Sequence, residues 1–227
     1  MCPGSRTGLA LPPTTLPAGR SRACSSAGLG VRSAEAKHAL EVGARVFLRA
    51  PIDADQQEII ERNRASQALH RGWVTPPTDP TEFAKWMKRL AEPSAEGLIV
   101  CRLEDGAIVG VFTISQIVRR FFQSAYLGYY AEHPFEGQGY MTDGLQLVLR
   151  HVFTTMRLHR IEANIQPANV ASIALVKRAG FRLEGFSPRY LKVAGRWRDH
   201  QRWAMLIDDW RSPHPDPPPE GGGRKRS

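Results

Sequence analysis

The sequence lacks the features that mark several large classes of protein. No apolar run among its 227 residues approaches the roughly 18 residues that a membrane-spanning helix needs, so we expect a soluble protein without a membrane partner. It has only three cysteines, Cys2, Cys24 and Cys101, with no Cys-x-x-Cys pair and no His/Cys spacing typical of zinc sites. The sequence therefore predicts no disulfide framework and no metal, and it favours a reducing, cytoplasmic location.

Acidic residues are scarce at both ends of the chain, and the two ends supply more than half of the net charge of +9. Residues 1–42 carry five basic and two acidic residues, and residues 211–227 carry four and two. The body, residues 43–210, is left with a net charge of only +4. A compact RNA-binding face is one explanation, but a mildly basic enzyme with basic tails is favoured, and no specific nucleic-acid partner is predicted.

The composition divides the chain into three parts. Residues 1–42 are rich in Gly, Ala, Ser, Pro and Arg, and we expect a disordered extension or the product of an upstream translation start. Their arginines resemble those of an organelle transit peptide, but prolines 12, 13 and 17 disfavour the amphipathic helix that such a peptide uses. Residues 211–227, with runs of Pro and Gly, predict a disordered tail. Residues 43–210 are predicted to form one domain.

Strand and helix patterns alternate through this domain. The predicted elements, in chain order, are a strand at 46–48, a helix from Asp53 to Arg62, a helix at 81–90, strands at 98–103, 107–117 and 124–131, a helix at 141–156, a strand at 160–165, a helix at 169–179, and strands at 182–193 and 198–207. Asp53 is expected to be the N-cap of the first helix. Asp105-Gly106 predicts a tight hairpin turn, and Gly180 is expected to end the last helix in the left-handed conformation.

A Gly-x-Gly loop lies between a strand and the long helix. In Glu136-Gly137-Gln138-Gly139-Tyr140-Met141, the glycines allow main-chain N–H groups to approach an anion, and the N-terminus of the helix adds partial positive charge. This geometry suits a pyrophosphate. The loop is not a dinucleotide fingerprint, because Thr142 replaces the third glycine, and it lacks the Lys-Ser/Thr pair of a P-loop. Taken alone, it is equally consistent with a tight structural turn.

Several motifs together resemble the GNAT superfamily of N-acetyltransferases. The loop is similar to the acetyl-CoA signature Arg/Gln-x-x-Gly-x-Gly/Ala, with Glu136 in place of the Arg or Gln and Met141 in place of the small residue. The segments 159–164, 169–172 and 179–181 resemble the second cofactor-binding region of that family. The hairpin from Tyr190 to His200 is similar to that of RimJ-type ribosomal-protein-alanine N-acetyltransferases. The resemblance covers about residues 45 to 210.

The resemblance implies an α/β (α+β) fold with a mixed, mostly antiparallel sheet of about seven strands and flanking helices. Two central strands, here 124–131 and 160–165, would splay apart to admit the pantetheine arm of acetyl-CoA. The residues that would contact acetyl-CoA are Tyr129, Tyr130 and Ala131 on the strand, Glu136, Gly137, Gln138, Gly139, Tyr140 and Met141 in the loop, and Asn169 and Ser172 on the next helix.

Individual roles follow from the same resemblance. Free amides from Tyr129 to Ala131 would polarise the thioester carbonyl as an oxyanion hole. Asn169 would bond the pantetheine arm, and it is also an ordinary helix N-cap. Ser172 would be the acid that protonates the leaving thiolate, although a hydroxyl bonded to the preceding turn is equally consistent.

The general base is harder to assign. Related enzymes can use a carboxylate immediately before the hairpin tyrosine, where this chain has Arg189. Glu162 is a catalytic candidate on the central strand, with a structural ion pair as its alternative. The hairpin residues Tyr190, Trp197, Asp199 and His200 are candidates for the substrate cleft, and turn stabilisation is the alternative for Asp199 and His200.

The lack of a clear general base favours an acceptor amine with a low pKa. An α-amino group has a pKa of about 7.7–8.0 against about 10.4 for lysine, so on the order of a tenth of an N-terminal amine is already neutral at pH 7. We therefore expect acetyl transfer from acetyl-CoA to the N-terminus of a protein or peptide, such as a ribosomal protein, by direct attack on the thioester. The alternatives are acetylation of a small-molecule amine, such as an aminoglycoside or polyamine, and a non-catalytic acetyl-CoA sensor or ribosome-associated module.

Overall fold

The structure, a computed structural model, describes Met1 and residues 38–211. The predictions about residues 2–37 and 212–227 lie outside the described part of the chain. Glu41–Val42, which the sequence analysis placed in the extension, form a short strand that pairs with residues 47 and 48. The folded unit therefore begins slightly earlier than predicted.

A single mixed sheet of eight strands organises the described residues, one strand more than predicted. The strands are β1 (Glu41–Val42), β2 (Val46–Arg49), β3 (Ala95–Arg102), β4 (Ile108–Val118), β5 (Ser124–Ala131), β6 (Arg160–Ile165), β7 (Arg182–Val193) and β8 (Arg196–Leu206). Their order across the sheet is β1-β2-β3-β4-β5-β6-β8-β7, and every pairing is antiparallel except that of β5 with β6. The fold class predicted from the sequence is confirmed.

Helices cover both faces of the sheet. They are α1 (Gln56–Ala65), α2 (Gln67–His70), α3 (Pro80–Leu90), α4 (Tyr140–Arg150), α5 (Val170–Arg178) and α6 (Ile207–Arg211), with a 3-10 turn at Asp53–Asp55 and a π-helical segment at His151–Thr155. None of the helices in the described residues is long and apolar enough to cross a membrane.

Two apolar clusters fix these helices on opposite faces. On one face, Leu145 and Val148 of α4 pack with Phe112 of β4 and Ile161 of β6. On the other face, a smaller cluster joins α1 and α3 to the first half of the sheet; it includes Ile59, Phe83, Trp86, Ile99 and Val111. Because burial of apolar side chains is the main favourable term in folding, these clusters are the chief source of stability.

The first helix begins later than the sequence predicted. Asp53 does not cap an α-helix; it starts a 3-10 turn, and α1 begins at Gln56. The carboxylate that orders this region is Asp55, which receives two bonds of 2.7 Å from Arg49 and one of 2.8 Å from the Ile52 N–H. A buried Arg–carboxylate pair with two parallel bonds fixes the chain more strongly than an exposed cap, and it displaces the helix start.

The long helix also differs from its prediction. It is α-helical to Arg150 and π-helical from His151 to Thr155. One face of this segment is buried, with Leu145, Val148, Leu149, Val152, Phe153 and Met156. In the π segment, Val152 and Phe153 remain in the core, and His151 lies 2.7 Å from Glu96 Oε1 through its Nε2. The helix therefore ends in a π turn instead of continuing as an α-helix to Met156.

Candidate active site

The two central strands separate after three residue pairs. β5 and β6 are in register at Ser124–Tyr126 against Arg160–Glu162. Beyond this point β5 continues to pair only with β4, and β6 only with β8. A cavity of about 700 Å³ occupies the gap and is lined by residues 127–131 of β5 and by Asn164 and Ile165 of β6. The splay that the sequence analysis expected is present, and we call this cavity the slot.

Main-chain groups on one edge of the slot pair with no strand of the described residues. Glu132 donates its N–H to Val109 O on β4, and successive residues of a strand direct their N–H groups to opposite edges. The N–H groups of Leu127, Tyr129 and Ala131 therefore point into the slot. The amide of Tyr130 points towards β4, so the expectation that Tyr130 supplies a slot donor is wrong, because of this alternation.

The glycine loop borders the same slot. Gly137 and Gly139 have φ values of 73° and 83°, and both line the slot together with Met141 and Thr142. Gly139 is the N-cap of α4, and its carbonyl accepts the N–H groups of Thr142 and Asp143. A left-handed glycine at a helix N-terminus leaves main-chain donors open to an anion. The loop therefore has the geometry of a diphosphate-binding turn.

An arginine that the sequence analysis did not single out braces this loop. Arg45 Nε lies 2.7 Å from Asp143 Oδ2, and Arg45 Nη1 donates to Gln138 O at 3.1 Å. Its guanidinium also lies 5.0 Å from the centre of the Tyr140 ring. Arg45 precedes β2, 93 residues before Gln138 in sequence, so no local motif could have connected the two.

Three loop residues that were predicted to contact acetyl-CoA use their side chains for contacts within the loop; they are Glu136, Gln138 and Tyr140. Glu136 lines the slot, and its Oε1 lies 3.0 Å from His133 Nδ1, an interaction that lowers the pKa of the carboxyl. Gln138 donates to Pro134 O at 2.7 Å, and Tyr140 packs edge-on against Phe135. The side chains of Gln138 and Tyr140 do not line the slot, so only their main chain could meet a ligand there.

Asn169 and Ser172 both line the slot. Asn169 is the N-cap of α5, and its Oδ1 accepts the Ser172 N–H at 3.1 Å. The Tyr129 hydroxyl donates to Ser172 O at 3.1 Å, and burial raises the pKa of Tyr129. The Ser172 side chain also hydrogen-bonds the Tyr129 hydroxyl, and Ser172 lines the slot, so a ligand there would share its hydroxyl with Tyr129.

Glu162 does not line the slot. Its Oε1 lies 2.7 Å from Arg160 Nε, and the same guanidinium pairs with Glu184. Arg160 therefore links Glu162 of its own strand with Glu184 of β7, across the intervening strand β8. The ion-pair alternative given for Glu162 thus describes its contacts, and its position offers no support for a catalytic role.

Of the four predicted cleft residues, only His200 lines the slot. Tyr190 contacts the His200 ring at a centroid distance of 6.3 Å, and its proximity is the main reason that the pKa of Tyr126 is raised to about 12. Asp199 accepts the Arg189 N–H at 2.7 Å, within the bulge where β7 shifts register. Trp197 is exposed near the hairpin turn and is not part of the slot.

Several slot residues carried no recognisable signal in the sequence. They are Leu69, His70 and Val74 around the end of α2, Gln166 after β6, and Arg178 at the end of α5. His70 is buried, and its Nε2 donates to Ala131 O at 2.8 Å, so α2 is tied to the edge of the slot. The sequence predicted no helix there, and only the tertiary structure brings α2 to β5.

A buried carboxyl lies just beyond the slot. Glu132 is fully buried, and its Oε2 accepts the Ser66 hydroxyl at 2.8 Å, while Ser66 Oγ accepts the His133 N–H. Burial raises the pKa of Glu132 to about 7, against smaller opposing effects of Ser66 and Arg62. This chain of bonds links the junction of α1 and α2 to the start of the glycine loop.

The chain is similar to known acetyltransferases in sequence and in structure. A family model described as "Acetyltransferase (GNAT) domain" matches residues 45–182. The protein named "Probable N-acetyltransferase YjcK" of Bacillus subtilis is 33% identical over 127 residues, which are 56% of this chain and 70% of that protein. The [ribosomal protein uS5]-alanine N-acetyltransferase of Escherichia coli is 38% identical over 107 residues, 47% of this chain and 55% of that enzyme.

A solved structure supports the same relationship. RimJ of Mycobacterium smegmatis, in complex with CoA-disulfide, superimposes with a TM-score of 0.67 at 30% identity, covering 74% of this chain and 84% of that one. The family match, the separated central strands and the glycine loop at the helix N-terminus agree with one another. The chain therefore belongs to the GNAT family of acetyltransferases and is an N-acetyltransferase similar to the RimJ-type enzymes that act on ribosomal proteins.

Proposed function

We propose that this enzyme transfers an acetyl group from acetyl-CoA to the N-terminal α-amino group of a protein, such as a ribosomal protein. The observation that carries the proposal is the slot, in which unpaired main-chain N–H groups of Tyr129 and Ala131 lie beside the loop of Gly137 and Gly139. The similarity to RimJ-type enzymes supports the choice of acceptor.

The residues of the slot fit acetyl-CoA. The helix end at Gly139 would bind the diphosphate through main-chain N–H groups, and Arg45 would keep that loop in place. The free edge of β5 would pair with the amide-rich pantetheine arm as an added strand would. When bound, acetyl-CoA supplies an activated acyl group whose carbonyl is open to attack by an amine.

The chain's own groups would then lower the barrier by positioning and by electrostatics. The Ala131 or Tyr129 N–H would donate to the thioester oxygen as negative charge develops on it, and one such donor contributes about 10²–10³ in rate. The hydroxyl of Ser172 lies in the slot and would give its proton to the departing thiolate. No side chain needs to act as a nucleophile, because the amine attacks directly.

The charge of the slot argues against a polyamine acceptor. Glu136 is the one acidic side chain among the described residues that line the slot, and its carboxylate is engaged by His133. Arg178 adds a positive charge to the same lining. A polycationic substrate would meet little compensating negative charge there, whereas a single N-terminal amine needs only one acceptor group.

The proposal is tested with synthetic peptides that begin with Ala, Ser or Met and contain one internal lysine. We expect acetyl-CoA-dependent release of CoA and, by mass spectrometry, acetylation at the N-terminus. The matched control is the same peptide with a formylated N-terminus, which should give no product. Failure to turn over any N-terminal peptide, or equal or faster turnover of spermidine, would reject the proposal. Tight acetyl-CoA binding without turnover would instead support the non-catalytic sensor.

A further inference from the structure

His200 has a defined tautomer because of one main-chain contact. Its Nδ1 lies 2.9 Å from Arg198 O, and a carbonyl oxygen can only accept a hydrogen bond. The proton of the neutral imidazole is therefore on Nδ1, and the lone pair is on Nε2. Nε2 makes no hydrogen bond with any described residue, although the ring is 3% exposed and lines the slot.

A second histidine in the slot has the opposite arrangement. His70 donates from Nε2 to Ala131 O, which leaves its lone pair on Nδ1. That Nδ1 is enclosed by protein and has no partner, whereas Nε2 of His200 is not among the enclosed atoms. Burial also lowers the pKa of His70. Of these two imidazoles, only His200 presents a basic nitrogen to the cavity.

The register of the sheet locates His200 on one face of the slot. Asn164 of β6 pairs with Arg202 of β8. His200 precedes Arg202 by two residues, so it lies on the same face of the sheet, roughly 7 Å from Arg202 along the strand. Tyr130 of β5 also belongs to this face, since it packs with the cluster that joins α1 and α3. The glycine loop and α4 lie on the other face with Tyr129 and Ser172. His200 thus faces a ligand that approaches from the side opposite α4.

We propose that His200 is the general base that accepts a proton from the acceptor's N-terminal ammonium group. This inference rests on the proposed acetyl transfer. His200 Nε2 takes one proton from the ammonium group, and the freed nitrogen lone pair forms a bond to the thioester carbonyl carbon. The C–S bond breaks, Ser172 gives its proton to the thiolate, and the second proton that leaves the nitrogen restores the Ser172 hydroxyl, which yields an amide and CoA. The proton on His200 then passes to solvent.

The carboxylates near the slot are engaged elsewhere. Glu132 is fully buried, accepts the Ser66 hydroxyl and does not line the slot. Glu162 is paired with Arg160, Glu136 with His133, and Asp199 with the Arg189 N–H. Titratable or charged groups that share the slot or contact the His200 ring are His70, Tyr129, Tyr130, Glu136, Arg178 and Tyr190. The two groups that contact the His200 ring are Tyr190 and the Arg198 carbonyl, and neither is a carboxylate. Nε2 is therefore the basic atom at this position in the slot.

The test compares two histidine-to-asparagine variants. In His200→Asn the side-chain amide can still donate to Arg198 O, because it occupies the position of Nδ1, but the basic nitrogen is gone. His159→Asn is the control, because His159 is exposed and lies at the other end of the sheet. With an N-terminal peptide at pH 6, we expect kcat/KM to fall about 10²-fold or more for His200→Asn and less than twofold for His159→Asn.

The pH dependence separates a base from a structural residue. An N-terminal amine loses its own proton with a pKa of about 7.7–8.0, so the deficit of His200→Asn should shrink about tenfold or more between pH 6 and pH 8. The affinity for CoA, measured by calorimetry, should be unchanged. A deficit that is constant with pH, or an equal loss of CoA affinity, would show a structural role and overturn the inference.

A measurement without turnover tests the tautomer itself. Long-range ¹H–¹⁵N correlation spectra of the ¹⁵N-histidine-labelled protein should show His200 protonated at Nδ1 and His70 protonated at Nε2, with assignment by loss of the signal in His200→Asn. Protonation of His200 at Nε2 would overturn the inference even if the enzyme is active. Absence of turnover by the wild-type enzyme, with the tautomers as expected, would instead reject the proposed function.

Discussion

The paired strands β3 and β4 differ from the gap between β5 and β6 in their hydrogen bonding and apolar packing. β3 and β4 stay in register from Ala95↔Ser115 to Cys101↔Ile108, with one irregularity, and apolar clusters cover both faces. At the gap, pairing stops after Tyr126↔Glu162, and enclosed polar atoms without partners gather nearby, among them His70 Nδ1, Glu132 Oε1 and Asn164 Oδ1. Apolar packing in the first region therefore contributes most to the free energy of folding, whereas the second region contains polar atoms that a ligand could hydrogen-bond.

The sharpest test of this contrast is a cavity in the paired strands. Phe112→Ala removes one of the largest fully buried side chains, and we expect a loss of about 3–5 kcal/mol in the free energy of unfolding. Urea titration followed by circular dichroism measures it. Thr113→Ala, at the neighbouring and only partly buried position, is the control and should cost less than about 1.5 kcal/mol. A loss below about 1 kcal/mol for Phe112→Ala would remove the distinction.

At the gap, a buried acid should make stability depend on pH. Burial raises the pKa of Glu132 from 4.5 to about 7, so the native state binds more protons than the unfolded state between those values. Stability from this group is present below about pH 4.5 and is lost as pH rises to about 7, by about 3 kcal/mol. Glu132→Gln should abolish that part of the pH dependence and be the more stable protein at pH 8.

The control for this prediction is Glu136→Gln. Glu136 is largely exposed and its pKa is lowered by His133, so its removal should not reproduce the stabilisation at pH 8. The free energies of unfolding of the wild type, Glu132→Gln and Glu136→Gln, measured at pH 5 and pH 8, test this prediction. If Glu132→Gln is less stable than the wild type at both pH values, the carboxyl is ionised and paired, and the assignment of a buried acid is wrong.

Strand bounds and turns were predicted from the sequence in both of these regions. β5 and β6 have the predicted bounds, and Asp105-Gly106 forms the predicted turn with Gly106 at φ 79°. Alternation and turn chemistry are local signals, so they can be seen in sequence. Asp53 failed as a cap because Arg49 binds Asp55, a tertiary choice that propensity does not contain.

The candidate site was predictable only where a motif is contiguous. The glycine loop, Asn169 and Ser172 all reach the slot, and each lies in a continuous segment at a helix N-terminus. His70 on α2 and Gln166 after β6 reach the slot without a motif. Successive amides of β5 point to opposite edges of the strand, and a shift by one residue exchanges the two edges. The local sequence does not determine this alternation, so the amide of Tyr130 was wrongly assigned to the slot.

Loss of the proposed acid should affect rate more than stability. Ser172→Ala removes a hydroxyl whose one described partner is the Tyr129 side chain, so the free energy of unfolding should fall by no more than about 1.5 kcal/mol. If the hydroxyl protonates the thiolate, kcat should fall about 10–100-fold while CoA affinity is retained. Steady-state kinetics and calorimetry measure the two effects. An unchanged kcat would remove Ser172 from the mechanism.

The two loop glycines should respond unequally to the same substitution. Both have positive φ, so Ala costs about 1–2 kcal/mol of conformational energy at either site. A Cβ at Gly137 meets no atom within 4 Å, but at Gly139 it would lie 2.9 Å from Arg45 Nη2. We therefore expect Gly139→Ala to weaken CoA binding several-fold more than Gly137→Ala, as measured by calorimetry. Equal losses would mean that Arg45 does not brace the loop.

Asn164 should contribute to substrate binding and little to folding stability. Its Oδ1 is enclosed without a partner, so Asn164→Ala removes an unsatisfied acceptor, and the free energy of unfolding should change by less than about 1 kcal/mol or increase. Because Asn164 is on the same face as His200, we expect KM for the acceptor peptide to rise about 5–10-fold while CoA affinity is retained. Asn164→Asp is the matched comparison, since it keeps an acceptor in the same place and should preserve KM for the peptide. A destabilisation of more than about 2 kcal/mol in the Ala variant would show that Asn164 belongs to the structural half of the contrast, because only a satisfied polar group is costly to remove.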